Sequence, residues 1–126
     1  MSAFRADTGA DTTMALKLTR RIAETAAAPT DGNPYAITYD TAVRGLGIRV
    51  TKAGHRAWIL NYRTATGVER RQTIGDLDDW PLDLVRNEAR RLRRLVDQGQ
   101  DPLAERRNRI RKIFERYFAA AQSTGA

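Results

Sequence analysis

A short stretch of alternating apolar and polar residues constrains the fold of this chain most strongly. Residues 46–51 read Leu-Gly-Ile-Arg-Val-Thr, so that every second side chain is aliphatic. Successive side chains of a β-strand point to opposite faces, and this alternation therefore predicts a half-buried strand. Glycine turns at Gly54 and Gly67 lead into two further strand-like runs, residues 56–64 and 69–75. The sequence therefore predicts a three-stranded antiparallel sheet connected as a meander.

The residues before this sheet carry weaker signals. Residues 35–40 alternate like a short edge strand, and Thr19 is a candidate N-cap for a short helix over residues 20–28. Residues 1–15 are predicted to be a disordered leader, because most of them are small or polar and they show no period.

Two helices are predicted after the sheet. Asp83 is a candidate N-cap for the first helix, which ends at Gly99, and Asp101-Pro102 begins a second, basic and amphipathic helix. The apolar stripe of the first helix covers one face of the sheet and consists of Val85, Ala89, Leu92 and Val96. We therefore predict an α+β fold: a three-stranded antiparallel sheet packed on one α-helix, with a short N-terminal helix and an additional C-terminal basic helix. One domain is expected over residues 16–101, and residues 102–126 form either a linker helix or the start of a following domain.

The chain is strongly basic. Lysine and arginine number 22 against 15 acidic residues, which gives a net charge of +7, and residues 102–126 hold six basic residues against two acidic ones. Arginine dominates, and its planar, forked guanidinium suits phosphate groups and guanine edges. Basic surfaces attract polyanions through counterion release, so the composition favours a nucleic acid as the partner.

Several other classes of function are excluded or disfavoured. The chain has no cysteine, which rules out disulfides, thiolate catalysis and cysteine-based zinc sites, and its one histidine, His55, lies in a predicted turn. It contains no phosphate-binding loop and no nucleophile elbow, and the carboxylates at Asp76, Asp78 and Asp79 are expected only to solvate a loop. No apolar run approaches the roughly 20 residues of a membrane span. We predict no catalytic residue, cofactor, metal or membrane partner, and a cytoplasmic, nucleoid-associated bacterial protein.

The uncovered face of the predicted sheet is the candidate site. A β-ribbon fits the major groove, where arginine pairs with guanine, asparagine pairs with adenine, and threonine methyls touch thymine methyls. The candidate DNA-contacting residues on this face are Arg49, Thr51, Asn61, Arg63, Arg71 and Thr73. Ala57, Ile59 and Glu69 are predicted to point outward with them. An ordinary solvated face has a similar composition, so the alternation alone leaves both interpretations open.

Basic residues elsewhere are candidates for contacts to the DNA backbone. The candidate phosphate contacts are Lys52, Arg56, Arg106, Arg107 and Arg109. The arginines between residues 86 and 94 are interpreted as a solvated helix surface. The second helix also carries an apolar side with no predicted cover, formed by Ile110, Ile113, Phe114, Tyr117 and Phe118. This side leaves open an alternative function as a free-standing regulatory or protein-interaction module that uses the C-terminal helix.

A series of landmarks, in order and spacing, resembles the N-terminal arm-type DNA-binding domain of prophage tyrosine integrases. The landmarks are residues 39–41, 45–51, Gly54, 58–63, 73–75, 87–90 and 98–103, and the similarity spans residues 16–107. The resemblance implies a three-stranded sheet that lies in the major groove of arm-type sites, as part of a site-specific recombinase in DNA integration. It also implies other integrase subunits or accessory recombination proteins as partners.

The resemblance does not extend to catalysis. Full-length members of this family continue into a core-binding domain and a catalytic domain with arginine, histidine and tyrosine, and no such constellation is found in this sequence. We therefore interpret Tyr117 as a helix-face residue rather than a nucleophile. The expectation is a non-catalytic protein that is a fragment, a truncated product or a free-standing relative of an integrase.

Overall fold

The computed structural model describes the backbone of residues 14–124 and the side chains of residues 15–120. Within that range one mixed sheet contains five strands in the order of the chain. The strands are β1 (Met14–Leu16), β2 (Tyr35–Asp40), β3 (Leu46–Thr51), β4 (Arg56–Arg63) and β5 (Glu69–Asp76). The helices are α1 (Arg20–Thr25), α2 (Leu82–Asp97) and α3 (Pro102–Thr124). The α+β class is as predicted.

The prediction of a three-stranded sheet is wrong in its strand count. Strands β3, β4 and β5 form the expected antiparallel meander, but β2 pairs antiparallel with β3, and β1 pairs parallel with β2. The three residues of β1 are too few for an alternating pattern to be recognised in the sequence. They form a strand because they pair with the edge of β2 that β3 leaves open. Met14 and Ala15 thus belong to the sheet, and the rest of the predicted leader lies outside the described residues.

The main core lies between the sheet and α2. The even-numbered residues of β3 and β4 point toward this helix, and Trp58, Leu60 and Tyr62 are completely buried. The predicted apolar stripe of α2 is confirmed, since its buried residues are Val85, Ala89, Leu92 and Val96. We call this side of the sheet the inner face and the opposite side the outer face.

The helix starts follow the predicted capping rules at two of three positions. Thr19 Oγ1 accepts a hydrogen bond from the Ile22 amide at 3.1 Å, and Asp101 Oδ1 accepts one from the Ala104 amide at 3.4 Å. The predicted cap at Asp83 is wrong, because the N-cap of α2 is Pro81 and Asp83 lies in the first turn. A carboxylate at that position still interacts favourably with the helix dipole.

Candidate DNA-binding face

A second, smaller apolar cluster lies on the outer face. Ile37, Tyr39 and Ile59 are buried there, with Tyr35 packed against them. The prediction that Ile59 and Ala57 point to the outer face holds, but both are buried, at 0% and 1% exposure. The cause is strand β2, which was predicted as a short edge strand but was not counted in the three-stranded sheet, and which brings its two tyrosines onto this face.

Gly47 makes room for this cluster. It lies opposite Tyr39 on β2 and Ile59 on β4. A Cβ atom at position 47 would lie 2.9 Å from Ile37 Cγ2 and 3.2 Å from Tyr39 Cδ1. The absence of a side chain therefore lets the Tyr39 ring pack closely over β3.

Asn61 lies on the predicted face, but its amide is not exposed as a base-reading group would be. The residue is 7% exposed, its Nδ2 donates to the Tyr39 hydroxyl, and its Oδ1 accepts from Arg71 Nε at 2.8 Å. Arg71 also donates through Nη1 to the Tyr35 hydroxyl at 2.7 Å, and its guanidinium carbon lies 5.2 Å from the centre of the Tyr35 ring. We call Tyr35, Tyr39, Asn61 and Arg71 the outer-face network.

The other candidate base contacts differ in how free they are. Arg49 is half-buried on the outer face, and among the described residues nothing forms a hydrogen bond or an ion pair with its side chain. Arg63 binds Glu69 Oε2 at 2.6 Å and the Gly67 carbonyl at 2.9 Å, so its charge is already paired. Thr51 Oγ1 accepts a hydrogen bond from the His55 amide at 3.1 Å, and Thr73 lies opposite Ile59 on the outer face.

Arg56 does not fit its prediction as a phosphate contact. It points to the inner face, where Nε donates to the Ala23 carbonyl at 3.0 Å and Nη2 donates to the Ala26 carbonyl. Its Nη1 donates to the Gly54 carbonyl at 3.3 Å. All three guanidinium nitrogens thus bind backbone carbonyls, chiefly at the C-terminal end of α1, and this explains why an arginine stands at the start of β4.

The remaining candidate phosphate contacts are exposed. Lys52 lies in the turn after β3, and Arg106, Arg107 and Arg109 lie in the first half of α3. Arg106 Nη1 also approaches the Thr73 carbonyl at 3.5 Å, which places the start of the basic helix beside β5. These cations therefore flank the sheet at two places.

The sequence was interpreted as placing the arginines of α2 on a solvated helix surface. This does not hold for Arg86, which is bound within the fold. Arg86 donates to both carboxylate oxygens of Asp40, at 3.0 and 3.1 Å, and to the Leu18 carbonyl at 2.8 Å. Burial by itself raises the pKa of Asp40, but hydrogen bonds from Arg86 and from the Leu18 and Ala42 amides outweigh it and lower the pKa below the ordinary value. No signal in the sequence marks this pair, whose members are 46 residues apart.

Asp101 joins the start of α3 to the sheet. Its carboxylate accepts hydrogen bonds from the Tyr62 hydroxyl at 2.6 Å and from Arg70 Nε at 3.1 Å. Burial and the hydrogen bond to this carboxylate raise the pKa of Tyr62 to about 12. The first turn of α3 is therefore attached to the inner face through partly buried polar groups.

The part of the chain that the structure describes holds no group of three or more residues that could ligate a metal. His55 has one carboxylate neighbour, because pairing of β4 with β5 brings Asp76 Oδ1 within 3.1 Å of its Nε2. Across residues 14–124 no helix is long and apolar enough to span a membrane.

The sequence profile of the arm DNA-binding domain matches residues 14–109, which includes all five strands, α1, α2 and the start of α3. The chain belongs to the N-terminal arm-type DNA-binding domain family of phage integrases.

A curated relative of this arm-type domain is the prophage integrase IntF of Escherichia coli (strain K12). The two are 39% identical over 72 residues, which make up 57% of this chain and 15% of the relative. The arm-type domain described here thus spans a small part of the length of that integrase. No solved structure matches the chain.

Proposed function

We propose that this arm-type domain binds double-stranded DNA sequence-specifically, with the outer face of its sheet in the major groove. The observation that carries the proposal is the outer face itself. Helix α2 packs on the inner face, whereas the outer face presents two arginines beside a small apolar cluster. These are Arg49, which has no hydrogen-bond or ion-pair partner among the described residues, and the arginine of the outer-face network. Arginine is the side chain that most often pairs with guanine in the major groove.

The proposed contacts divide into two groups. The residues proposed to face the bases are Arg49, Thr51, Arg71 and Thr73. Arg63 joins them once DNA displaces Glu69, and Asn61 acts with Arg71. Lys52, Arg106, Arg107 and Arg109 are proposed to bind phosphates, because they are exposed at the two flanks of the sheet. Phosphate contacts position a protein on the duplex, whereas base contacts select the sequence.

Selection of bound duplexes from a random pool tests this function. We expect the full chain to enrich one motif and to bind it with a steep dependence on salt concentration, since each phosphate contact releases counterions. Steep salt dependence without an enriched motif would mean that only phosphates are contacted, and this result would overturn sequence-specific binding.

We further propose that the domain acts as the arm-site-binding part of a site-specific recombinase, without carrying out strand exchange itself. This role is supported by the family and by the name of the relative, a prophage integrase. A duplex that carries an integrase arm site should compete for the domain more strongly than a scrambled duplex of equal length. Equal competition would contradict the recombination role while leaving DNA binding intact.

A second candidate function is self-association through α3. Its apolar side is open, with Ile113, Phe114 and Tyr117 exposed at 58%, 64% and 74%, and the rings of Phe114 and Phe118 stack at 6.3 Å. An apolar side of this kind is typical of a helix that packs against a partner. Sedimentation at micromolar concentration should show a dimer that the double change Phe114→Ser and Phe118→Ser dissociates, and a monomeric parent would remove this candidate.

A further inference from the structure

The chemistry of the outer-face network fixes the orientation of the Asn61 amide. A guanidinium is only a donor, so the group that faces Arg71 Nε must be the amide oxygen of Asn61. The amide nitrogen then faces the Tyr39 hydroxyl, which accepts its hydrogen bond. Asn61 is 7% exposed, so its amide has little surface left for a base edge.

The same network restricts Arg71. Nε is held by Asn61, Nη1 is held by the Tyr35 hydroxyl, and the Tyr35 ring lies 5.2 Å from the guanidinium carbon. A free arginine side chain loses much rotamer freedom when it binds, and a side chain held in advance loses less. The two hydrogen bonds and the ring contact thus preorganise this guanidinium.

Arg71 also retains binding capacity and charge. Its Nη2 makes no hydrogen bond to the residues between 14 and 124. No carboxylate in that range forms an ion pair with Arg71, whereas Arg63 on the same face is paired with Glu69. The free nitrogen suits an acceptor on a base edge, and guanine presents two such acceptors, O6 and N7, in the major groove.

We propose that Arg71 is the specificity-determining residue of the outer face, that it reads a guanine, and that Asn61 and Tyr35 are positioning residues that act through it. The inference rests on the proposed DNA-binding function. It reverses the role expected for Asn61 from alternation, since this residue orients the reader and makes no contact with the base.

The test uses the full chain and the duplex that it selects from a random pool. Each base pair of that duplex is replaced in turn, and the ratio of affinities for the parent and the replaced duplex is measured for each protein variant. Arg71→Ala should lose about 10- to 100-fold of discrimination at one G·C position, and Asn61→Ala should lose part of it at the same position. Arg71→Lys should lose the discrimination as well but keep the salt dependence, because the charge remains without the planar fork.

A double-variant cycle separates positioning from direct contact. If Asn61 acts only through Arg71, adding Asn61→Ala to Arg71→Ala should change the ratio less than twofold. The contrary results are a loss from Asn61→Ala that is as strong in Arg71→Ala as it is in the parent, and a loss at a different base pair. Either result would show that Asn61 touches DNA itself and would overturn the proposal.

Tyr35→Phe provides the same cycle without a buried change, because it removes one hydroxyl and keeps the ring. It should weaken discrimination in the parent and have no effect in Arg71→Ala. If Asn61→Ala does not fold, the comparison of Tyr35→Phe in these two backgrounds decides whether the network acts through Arg71. Thermal unfolding of every variant gives the fold control. A parent that selects no motif would contradict the proposed function, whereas a motif whose readout Arg71→Ala leaves unchanged would contradict only the role of Arg71.

Discussion

Arg86 of α2 binds both carboxylate oxygens of Asp40 of β2, at 3.0 and 3.1 Å, and thereby joins the helix to the sheet. Asp40 also accepts the Leu18 amide at 3.0 Å, and Arg86 donates to the Leu18 carbonyl at 2.8 Å. The pair thus holds β2, α2 and the segment after β1 together. This anchors strand β2, which supplies the two tyrosines of the outer face.

Removal of Arg86 should be strongly destabilising. Arg86→Ala leaves the buried Asp40 carboxylate without its cation, and we expect the free energy of unfolding to fall by about 3–5 kcal/mol. Denaturant unfolding measures this change. Arg90→Ala is the matched control, because Arg90 is exposed on the same helix and should change stability by less than about 0.5 kcal/mol. Equal effects of the two substitutions would contradict the structural role of the pair.

The stability of the domain should decrease in acid. The pKa values of Asp40 and Asp101 are lowered in the folded chain. Their stabilising contribution is therefore complete above the unfolded pKa of about 3.9 and is lost as the pH falls through the lower folded values. Unfolding measured from pH 7 down to pH 2 should show this decline. Asp40→Asn should be less stable at pH 7 and have a shallower acid limb, and an unchanged limb would be inconsistent with the lowered pKa of Asp40.

The stability of the domain should also decrease in alkaline conditions, because of Tyr62. Its folded pKa of about 12 lies above the ordinary tyrosine pKa of about 10, so the neutral hydroxyl contributes stability below pH 10 that is lost as the pH rises toward 12. Phenolate absorbance and unfolding can be followed together over this range. Tyr62→Phe should abolish this part of the pH dependence, and a parent whose stability is constant between pH 10 and 12 would argue against the hydrogen bond to Asp101.

A side chain at Gly47 should disrupt the outer face. A Cβ would lie 2.9 Å from both Ile37 Cγ2 and the Thr38 carbonyl oxygen, so Gly47→Val overpacks the cluster. We expect a loss of about 1–3 kcal/mol in the free energy of unfolding, together with weaker DNA binding because Tyr39 is displaced. Gly67→Ala, at a turn with open space around it, controls for the loss of a glycine, although its positive φ of 91° adds some backbone strain. Full stability and binding in Gly47→Val would contradict the packing described.

The sequence predicted those features that depend on neighbouring residues. Alternation identified β2, β3, β4 and β5, although it did not show that β2 joins the same sheet. The stripe from Val85 to Val96 and the Thr19 cap were also correct. Alternation also assigned Asn61 to the right face, but it does not reveal what lies on top of a residue. The tyrosines that bury Asn61 come from β2. The α1 carbonyls that bind Arg56 and the carboxylate that binds Arg86 lie 30 or more residues away along the chain. Such contacts depend on the tertiary fold, and for that reason the sequence predicted which side chains share the outer face but not the contacts that they make within the chain.

Methylation interference on the selected duplex tests the central claim most directly. Methylation of guanine N7 blocks the major groove, and methylation of adenine N3 blocks the minor groove. If the outer face lies in the major groove, N7 methylation within the selected motif should abolish binding, and N3 methylation there should have little effect. Interference from adenine N3 alone, with guanine N7 methylation tolerated throughout the motif, would contradict the account.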